Sequence, residues 1–288
     1  MIGADRARRA HQVGHGARHR SELAVRLVSA VVLAPLAVGA AAIGGWPFEL
    51  FCALAAIGIW WEWATLSAGG AARMVTAIGA GALAAASVFI AAGWIGTTLA
   101  CLAGGAVLVG ALARSNRPAW IGAGVAYAGT MLVAPVLLRS DPRYGFLAIV
   151  FLFAVVWTTD ILAYFAGRAI GGAKLAPQLS PKKTWSGAIG GAGGAVIAAT
   201  AVAALAGLGQ WTTMALVGLG LSIASQAGDL FESALKRCYG AKDASRLIPG
   251  HGGLMDRLDG FIAAALVAAI LGLLRGGPDA PARGLLVW

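Results

Sequence analysis

The sequence predicts an all-α polytopic integral membrane protein with about nine transmembrane helices and a cytoplasmic N-terminus. Three observations carry that prediction. The first is composition: of 288 residues, 59% are apolar and 12% charged, against about 45–50% and 25% in soluble domains. The second is nine apolar stretches, each about twenty residues long, the length a helix needs to cross a bilayer. The third is the placement of charge. With the N-terminus inside, all but four of the 22 Lys and Arg fall in segments that stay in the cytoplasm, as the positive-inside rule requires; the exceptions are Arg139, Arg143, Arg275 and Arg283. The net charge of +10 therefore reads as topology and points away from a nucleic-acid partner. An ordinary soluble enzyme, a disordered chain and a disulfide scaffold are excluded by the same numbers.

The elements follow in order. Residues 1–25 form a basic cytoplasmic tail, with Arg6, Arg8, Arg9, Arg18 and Arg20 beside His11, His15 and His19 and no sustained apolar face. Such a tail suits an anionic lipid surface. A cleavable signal peptide is the alternative, but removing the first span would upset the charge alternation. Residues 26–144 hold five N-terminal spans, near 26–45, 47–66, 73–92, 94–112 and 119–138, with Gly93 the only punctuation between the third and fourth. Trp60, Trp61 and Trp63 near the inner end of the second span read as interface anchors, and Glu62 among them has no evident role. Residues 145–275 carry four more spans, near 145–167, 187–208, 211–235 and 258–275, with two cytoplasmic loops at 168–186 and 236–257. Residues 276–288 are a short C-terminal tail. Cys52, Cys101 and Cys238 lack CxxC spacing and read as free packing thiols.

Only twelve Asp and Glu are present. Six of them, Glu62, Asp160, Asp229, Glu232, Asp256 and Asp259, lie inside or at the edge of apolar stretches, where each costs about 2.5–3.5 kcal/mol unless satisfied. The topology brings Asp160, Asp229, Asp256 and Asp259 to the cytoplasmic face, with Glu62 at a similar depth. Residues three or four apart share a helix face, so Asp229, Glu232, Ser233 and Lys236 make one polar stripe, and Asp256 with Asp259 makes another. Facing carboxylate pairs suit a hard divalent cation. The competing explanation is a set of ion pairs with Lys236, Arg237 and Arg257.

Between the stripes runs GAKDASRLIPGHGGLMDRLD, residues 240–259. Gly250, Gly252 and Gly253 surround His251 just before the ninth helix, and Lys242 and Arg246 are near, an arrangement fit to cradle phosphate at a helix start. The other loop offers Lys174, Lys182 and Lys183 with Ser180, Thr184 and Ser186 as further donors, unless its lysines are topology markers alone. Pro177 and Pro181 favour a shaped loop. No GxxxxGK[ST], GxGxxG after a strand, HExxH or GxSxG occurs, leaving metal-assisted phosphoryl or nucleotidyl transfer at the inner membrane surface.

The run SALKRCYGAKDASRLIPGHGGLMDRLD, residues 233–259, resembles the signature of the phosphatidate cytidylyltransferase (CDP-diacylglycerol synthase) family. The matching positions are Ser233, Lys236, Arg237, Lys242, Asp243, Ser245, Pro249, His251, Gly252, Gly253, Asp256, Arg257 and Asp259. GDLFES at 228–233, DILAYFAG at 160–167 and LSPKKTW at 179–185 are similar to further family segments, so the likeness is strong over 145–275. Ser186 stands where relatives often carry another polar or acidic residue. Earlier stretches resemble the family only in being hydrophobic spans.

That resemblance implies an enzyme that joins CTP to phosphatidic acid, giving CDP-diacylglycerol and pyrophosphate; the Ala-, Gly- and Arg-rich composition points to a bacterial inner membrane and the charge topology to a site facing the cytoplasm. The resemblance also implies Mg²⁺, with K⁺ as a second cation, on Asp229, Asp256 and Asp259, and suggests a homodimer. Lys236 joins those acids in the catalytic set. Ser180, Lys182, Lys183, Thr184, Ser233, Arg237, Lys242, His251 and Arg257 are the expected phosphate and substrate contacts, with Asp160, Glu232 and Asp243 in support. The alternatives are another membrane enzyme transferring nucleotidyl or phosphoryl groups to a lipid phosphate, and a cation transporter. A transporter predicts acids spread through the bilayer depth; a CDP-alcohol enzyme predicts a DGxxAR pattern, which is absent.

Overall fold

A computed structural model describes residues 31–67, 72–113, 115, 117–245, 247–248 and 252–288. The expectations for the basic tail, Arg246 and His251 lie outside the described residues. Ten helices are seen among them. They are α1 (Val31–Ile43), α2 (Gly45–Ser67), α3 (Ala72–Ala91), α4 (Ile95–Leu112) and α5 (Pro118–Arg139), then α6 (Gly145–Ile170), α7 (Trp185–Leu205), α8 (Trp211–Cys238), α9 (Met255–Gly276) and α10 (Pro281–Leu286). Among the described residues eight, α2 to α9, are long and apolar enough to cross a membrane. The first expected span is represented by the shorter apolar α1. Boundaries agree with the hydropathy reading to within a few residues because apolar length is what sets them. The short α10 lies within the expected C-terminal tail; Pro281 at its N1/N2 position starts it.

An all-α chain is interrupted once among the described residues, by an antiparallel hairpin of β1 (Lys174–Ala176) and β2 (Ser180–Thr184) in which Lys174 faces Thr184 and Ala176 faces Ser180. Pro181 removes a backbone donor, which a two-stranded ribbon tolerates at its free edge. The loop between α6 and α7 is therefore shaped, as its prolines suggest.

Two groups of helices share one membrane-length bundle. In the first, α2, α3, α4 and α5 pack in a ring, each against the next and α5 back against α2; in the second, α6, α7, α8 and α9 pack in sequence, and α5 meets α9 between the groups. Where lipid surrounds the helices the hydrophobic effect cannot drive helix onto helix, so close contact depends on small residues. The α6–α7 seam shows this: a Cβ added at Gly191 would lie 2.8 Å from the Thr159 carbonyl oxygen, and one at Gly190 2.4 Å from Ala166 Cβ.

The ends of α2, α6 and α8 and the starts of α3, α5, α7 and α9 gather at one end of the bundle. Trp60 Nε1 donates to the Thr76 carbonyl (2.9 Å), Trp63 Nε1 to that of Trp120 (3.0 Å), and Lys183 pairs with Asp229. At the opposite end the Arg139 Nε donates to the Ala41 carbonyl (2.6 Å) and Asp141 accepts from the backbone of Arg283 (3.0 Å). The alternation inferred from charge is thus present in space. The tryptophans correct one expectation. Trp60 and Trp63 are buried at 0% and 1% exposure while Trp61 is 43% exposed, so two of the three are core residues; Trp63 packs with Trp120, Tyr127 and Phe231, joining both helix groups. Of the free cysteines Cys52 is buried, whereas Cys238 is exposed.

The α6–α7 seam predicts an asymmetry. Gly191→Leu forces overpacking that costs about 1–3 kcal/mol, and should lower the thermal midpoint of the detergent-solubilised protein. Gly193→Leu, where an added Cβ meets nothing within 4 Å, should leave it unchanged.

Candidate active site

The polar residues at this end come from both helix groups and from the hairpin between α6 and α7. Helix α8 continues to Cys238, so Lys236 and Arg237 lie in its last turn and not in the loop, where cations favour the helix dipole. Helix α9 begins at Met255 and carries Asp256 in its first turn, where an anion is favoured. The two helices approach closely just beside their acids. A Cβ at Gly228 would lie 2.6 Å from the Asp259 carbonyl oxygen, and one at Gly260 2.5 Å from Ser225 Oγ. Those two glycines set Asp229 and Asp259 near one another.

The hairpin supplies the third wall. Side chains alternate along a strand, and β2 presents Lys183 to Asp229 in an ion pair while Lys182 is exposed. Thr184 is buried, and its Oγ1 accepts from the Gly187 N–H (3.1 Å) as the N-cap of α7 and pairs with Ser186 Oγ (3.0 Å). Ser186 Oγ donates to the Gly171 carbonyl (2.5 Å), and Ser180 is half-buried.

The carboxylates form a continuous chain of interacting charges. Asp160 is within electrostatic reach of Asp229, Lys183 and Arg257; Asp259 of Asp229, Asp160 and Lys183; and Glu232 of Asp259 and Asp256. Lys236 closes one end, pairing with Glu232 (2.5 Å) and with Asp256. Asp256 also accepts from the N–H groups of Ala244 (3.1 Å) and Gly253 (3.0 Å). Lys236, Glu232 and Asp256 keep only 12%, 2% and 9% of their side-chain surface exposed. Asp259 accepts from the Gly260 N–H (2.7 Å). Of the other expected contacts, Ser233 is half-buried on α8, and Arg237, Lys242, Asp243 and Arg257 are exposed around the rim; Arg237 Nη1 donates to the Ala241 carbonyl (3.2 Å).

Among the described residues no three His, Cys, Asp or Glu side chains converge closely enough to hold a metal ion as they stand, since lysines occupy Asp229 and Asp256. The donor chemistry nevertheless fits a hard cation. Five carboxylates lie within reach of one another, facing Lys183, Lys236 and Arg257. Glu232 Oε1, Ser225 Oγ and Tyr127 OH are buried without a hydrogen-bond partner, an expensive state unless a ligand or ion supplies one.

Sequence reasoning missed three contributors. Tyr127 of α5 lies within reach of Asp229, Glu232 and Asp259, and Ser225 borders Gly260; neither stands out in an apolar helix. Glu62 of α2 shows in the sequence only as a costly acid near the inner end of a span. Its Oε1 accepts from Ser245 Oγ (2.5 Å) and the Leu254 N–H (2.7 Å), and its Oε2 from the Met255 N–H (2.6 Å).

Membrane-length helices enclosing lysines, carboxylates and a glycine turn at one end define a polytopic membrane protein built to handle charged groups at the bilayer edge. The chain belongs to the Cytidylyltransferase family, whose model matches residues 24–274. It is 44% identical over 272 residues to the phosphatidate cytidylyltransferase of Brucella suis, covering 91% of this chain and 97% of that protein. It is 45% identical over 270 residues to the Brucella abortus phosphatidate cytidylyltransferase, covering 90% and 96%. The enzyme of that name from Bacillus subtilis is 43% identical over 126 residues, covering 43% of this chain and 47% of that one. The family match reaches well before residue 145, so it takes in the N-terminal spans, which resemble the family in the sequence only as hydrophobic stretches.

The ion pairs predict a stability effect. Removing one partner of a buried pair costs about 3–5 kcal/mol because the other charge is left uncompensated. Lys236→Met should therefore lower the thermal midpoint clearly, whereas Lys182→Met, at an exposed position, should not.

Proposed function

We infer that this protein transfers the cytidylyl group of CTP to phosphatidic acid, giving CDP-diacylglycerol and pyrophosphate in phospholipid synthesis. The observation that carries the reading is the meeting of Lys183, Lys236 and the carboxylate chain at one end of a family-matched membrane bundle. Membrane-embedded carboxylates spread along the bilayer depth would favour an ion path; here Asp160, Asp229, Glu232, Asp256 and Asp259 are one interacting group.

In this reading a phosphate oxygen of the lipid attacks the α-phosphorus of CTP, the new P–O bond forms, and the bond to the β-phosphate breaks. The nucleophile is already an anion, so the chain needs no covalent intermediate. Its task is to hold two negatively charged reactants together and to stabilise the departing pyrophosphate. Lys182, Lys183, Lys236, Arg237 and Lys242 offer the positive charge, with Ser180, Ser233, His251 and Arg257 as further donors. Mg²⁺ held by Asp229, Asp256 and Asp259 would add charge stabilisation at the phosphate oxygens. Asp160 supports the site from α6 through its attraction for Lys183, and Asp243 orients a neighbouring base. Asp160 is exposed on the flank of α6 beside Ile161 and Phe165, which are 54% and 60% exposed, so a lipid headgroup can reach the site from the bilayer side. The protein is assigned to a bacterial inner membrane, with this end in the cytoplasm, where CTP is supplied.

Purified protein incubated with phosphatidic acid, Mg²⁺ and each nucleoside triphosphate in turn should release pyrophosphate with CTP. Asp229→Ala and Asp256→Ala, still folded, should lose at least about 100-fold of that activity. Undiminished turnover in both would remove the metal assignment, and no turnover in the parent protein would remove the function.

A further inference from the structure

We propose that Glu62, in the N-terminal helix group, is a positioning residue for the site: it sets the turn before α9, and through it Asp256 and the nucleotide's phosphates. The inference rests on the cytidylyl-transfer reading above.

The argument starts from the unsatisfied backbone at a helix start. The first N–H groups of any helix have no partner within it, and Leu254, at the N-cap of α9, offers no side-chain hydrogen bond. Glu62 supplies one from a different helix, 193 residues earlier in the chain than Met255. Its side chain is 0% exposed, and both oxygens are used as acceptors: Oε1 by Ser245 and Leu254, Oε2 by Met255.

Asp256 grips the same two segments. It accepts from Ala244 and Gly253, the neighbours of Ser245 and Leu254. Two carboxylates thus clamp residues 244–245 and 253–255 to each other. Gly253 lies between them, and a Cβ there would be 2.9 Å from Asp256 Oδ2 and 3.0 Å from Glu62 Oε1. A shift of Gly253 or Leu254 therefore disturbs the contacts of Asp256 and Glu62 together. Since Lys236 also pairs with Asp256, Glu62 governs the orientation of a residue in direct contact with the proposed phosphate-binding group.

Glutamine cannot replace it. Three donors converge on two acceptor oxygens, and an amide has one oxygen and an NH₂ that would face a donor. Changes to residues that orient a site from behind typically cost about 10–100-fold in affinity or activity.

The test uses the full chain purified in detergent, with Glu62→Gln, Ser245→Ala and the double variant. A structural role alone would lower the folded fraction and hence the maximal rate, leaving KM untouched. A positioning role changes binding of the nucleotide. We expect KM for CTP to rise about 10-fold in Glu62→Gln and about 3-fold in Ser245→Ala, with KM for phosphatidic acid constant. The double variant should be no worse than Glu62→Gln, because coupled residues are not additive. The rise in thermal midpoint produced by CTP alone should shrink in the same order. If Glu62→Gln does not fold, Ser245→Ala, which leaves the Leu254 and Met255 N–H bonds to Glu62 in place, carries the test. Unchanged KM and unchanged CTP-induced shift in the folded variants overturn the proposal. A parent protein stabilised by CTP but producing no CDP-diacylglycerol would instead overturn the function, with the thermal shifts still reporting on Glu62.

Discussion

A carboxylate at the edge of hydrocarbon is tolerated only where the chain brings it a partner, and this site is organised around that requirement. Lys236 holds Glu232 to Asp256, tying the last turn of α8 to the first turn of α9. Lys183 does the same between the hairpin and Asp229. Without such partners each acid would cost several kcal/mol in that environment. The helix group can therefore close only in an arrangement that brings cations and carboxylates together. The same arrangement leaves unpartnered oxygens on Glu232, Ser225 and Tyr127, a polar remainder suited to phosphate and its counter-ion.

The two helix groups divide the work unequally but not independently. The C-terminal group and its hairpin carry both site lysines and five of the carboxylates. The N-terminal ring contributes Glu62, Tyr127 and the Trp63 aromatic cluster, which reaches Phe231 on α8. Glycine at the α8–α9 crossing and along α7 permits backbone approach that larger residues would block, so the position of Asp229 relative to Asp259 is a packing outcome as much as an electrostatic one.

Much of the fold was legible because its signals are one-dimensional. Apolar length marks α2 to α9, lysine and arginine placement marks which ends gather together, and i,i+3 or i,i+4 spacing marks the Asp229–Glu232–Lys236 and Asp256–Asp259 stripes. The site was legible to the extent that acids in apolar runs are costly and therefore rare. The β1–β2 hairpin was hidden because two short strands around Pro177 and Pro181 carry no sustained alternation. The burial of Trp60 and Trp63 was hidden too, since a tryptophan near a span's end suits a lipid interface and a helix interface equally well.

By itself the amino-acid sequence determined that the chain lies in a membrane, which ends of its helices share a side, and which acids are too expensive to be incidental, because each of these follows from local composition against a fixed bilayer thickness. Only the tertiary structure decided the partners: Lys183 for Asp229, Lys236 for Asp256, and above all Glu62 for the start of α9. Those pairings join residues far apart in the chain, and no local pattern encodes which distant backbone N–H a buried carboxylate will meet; helix packing alone selects it.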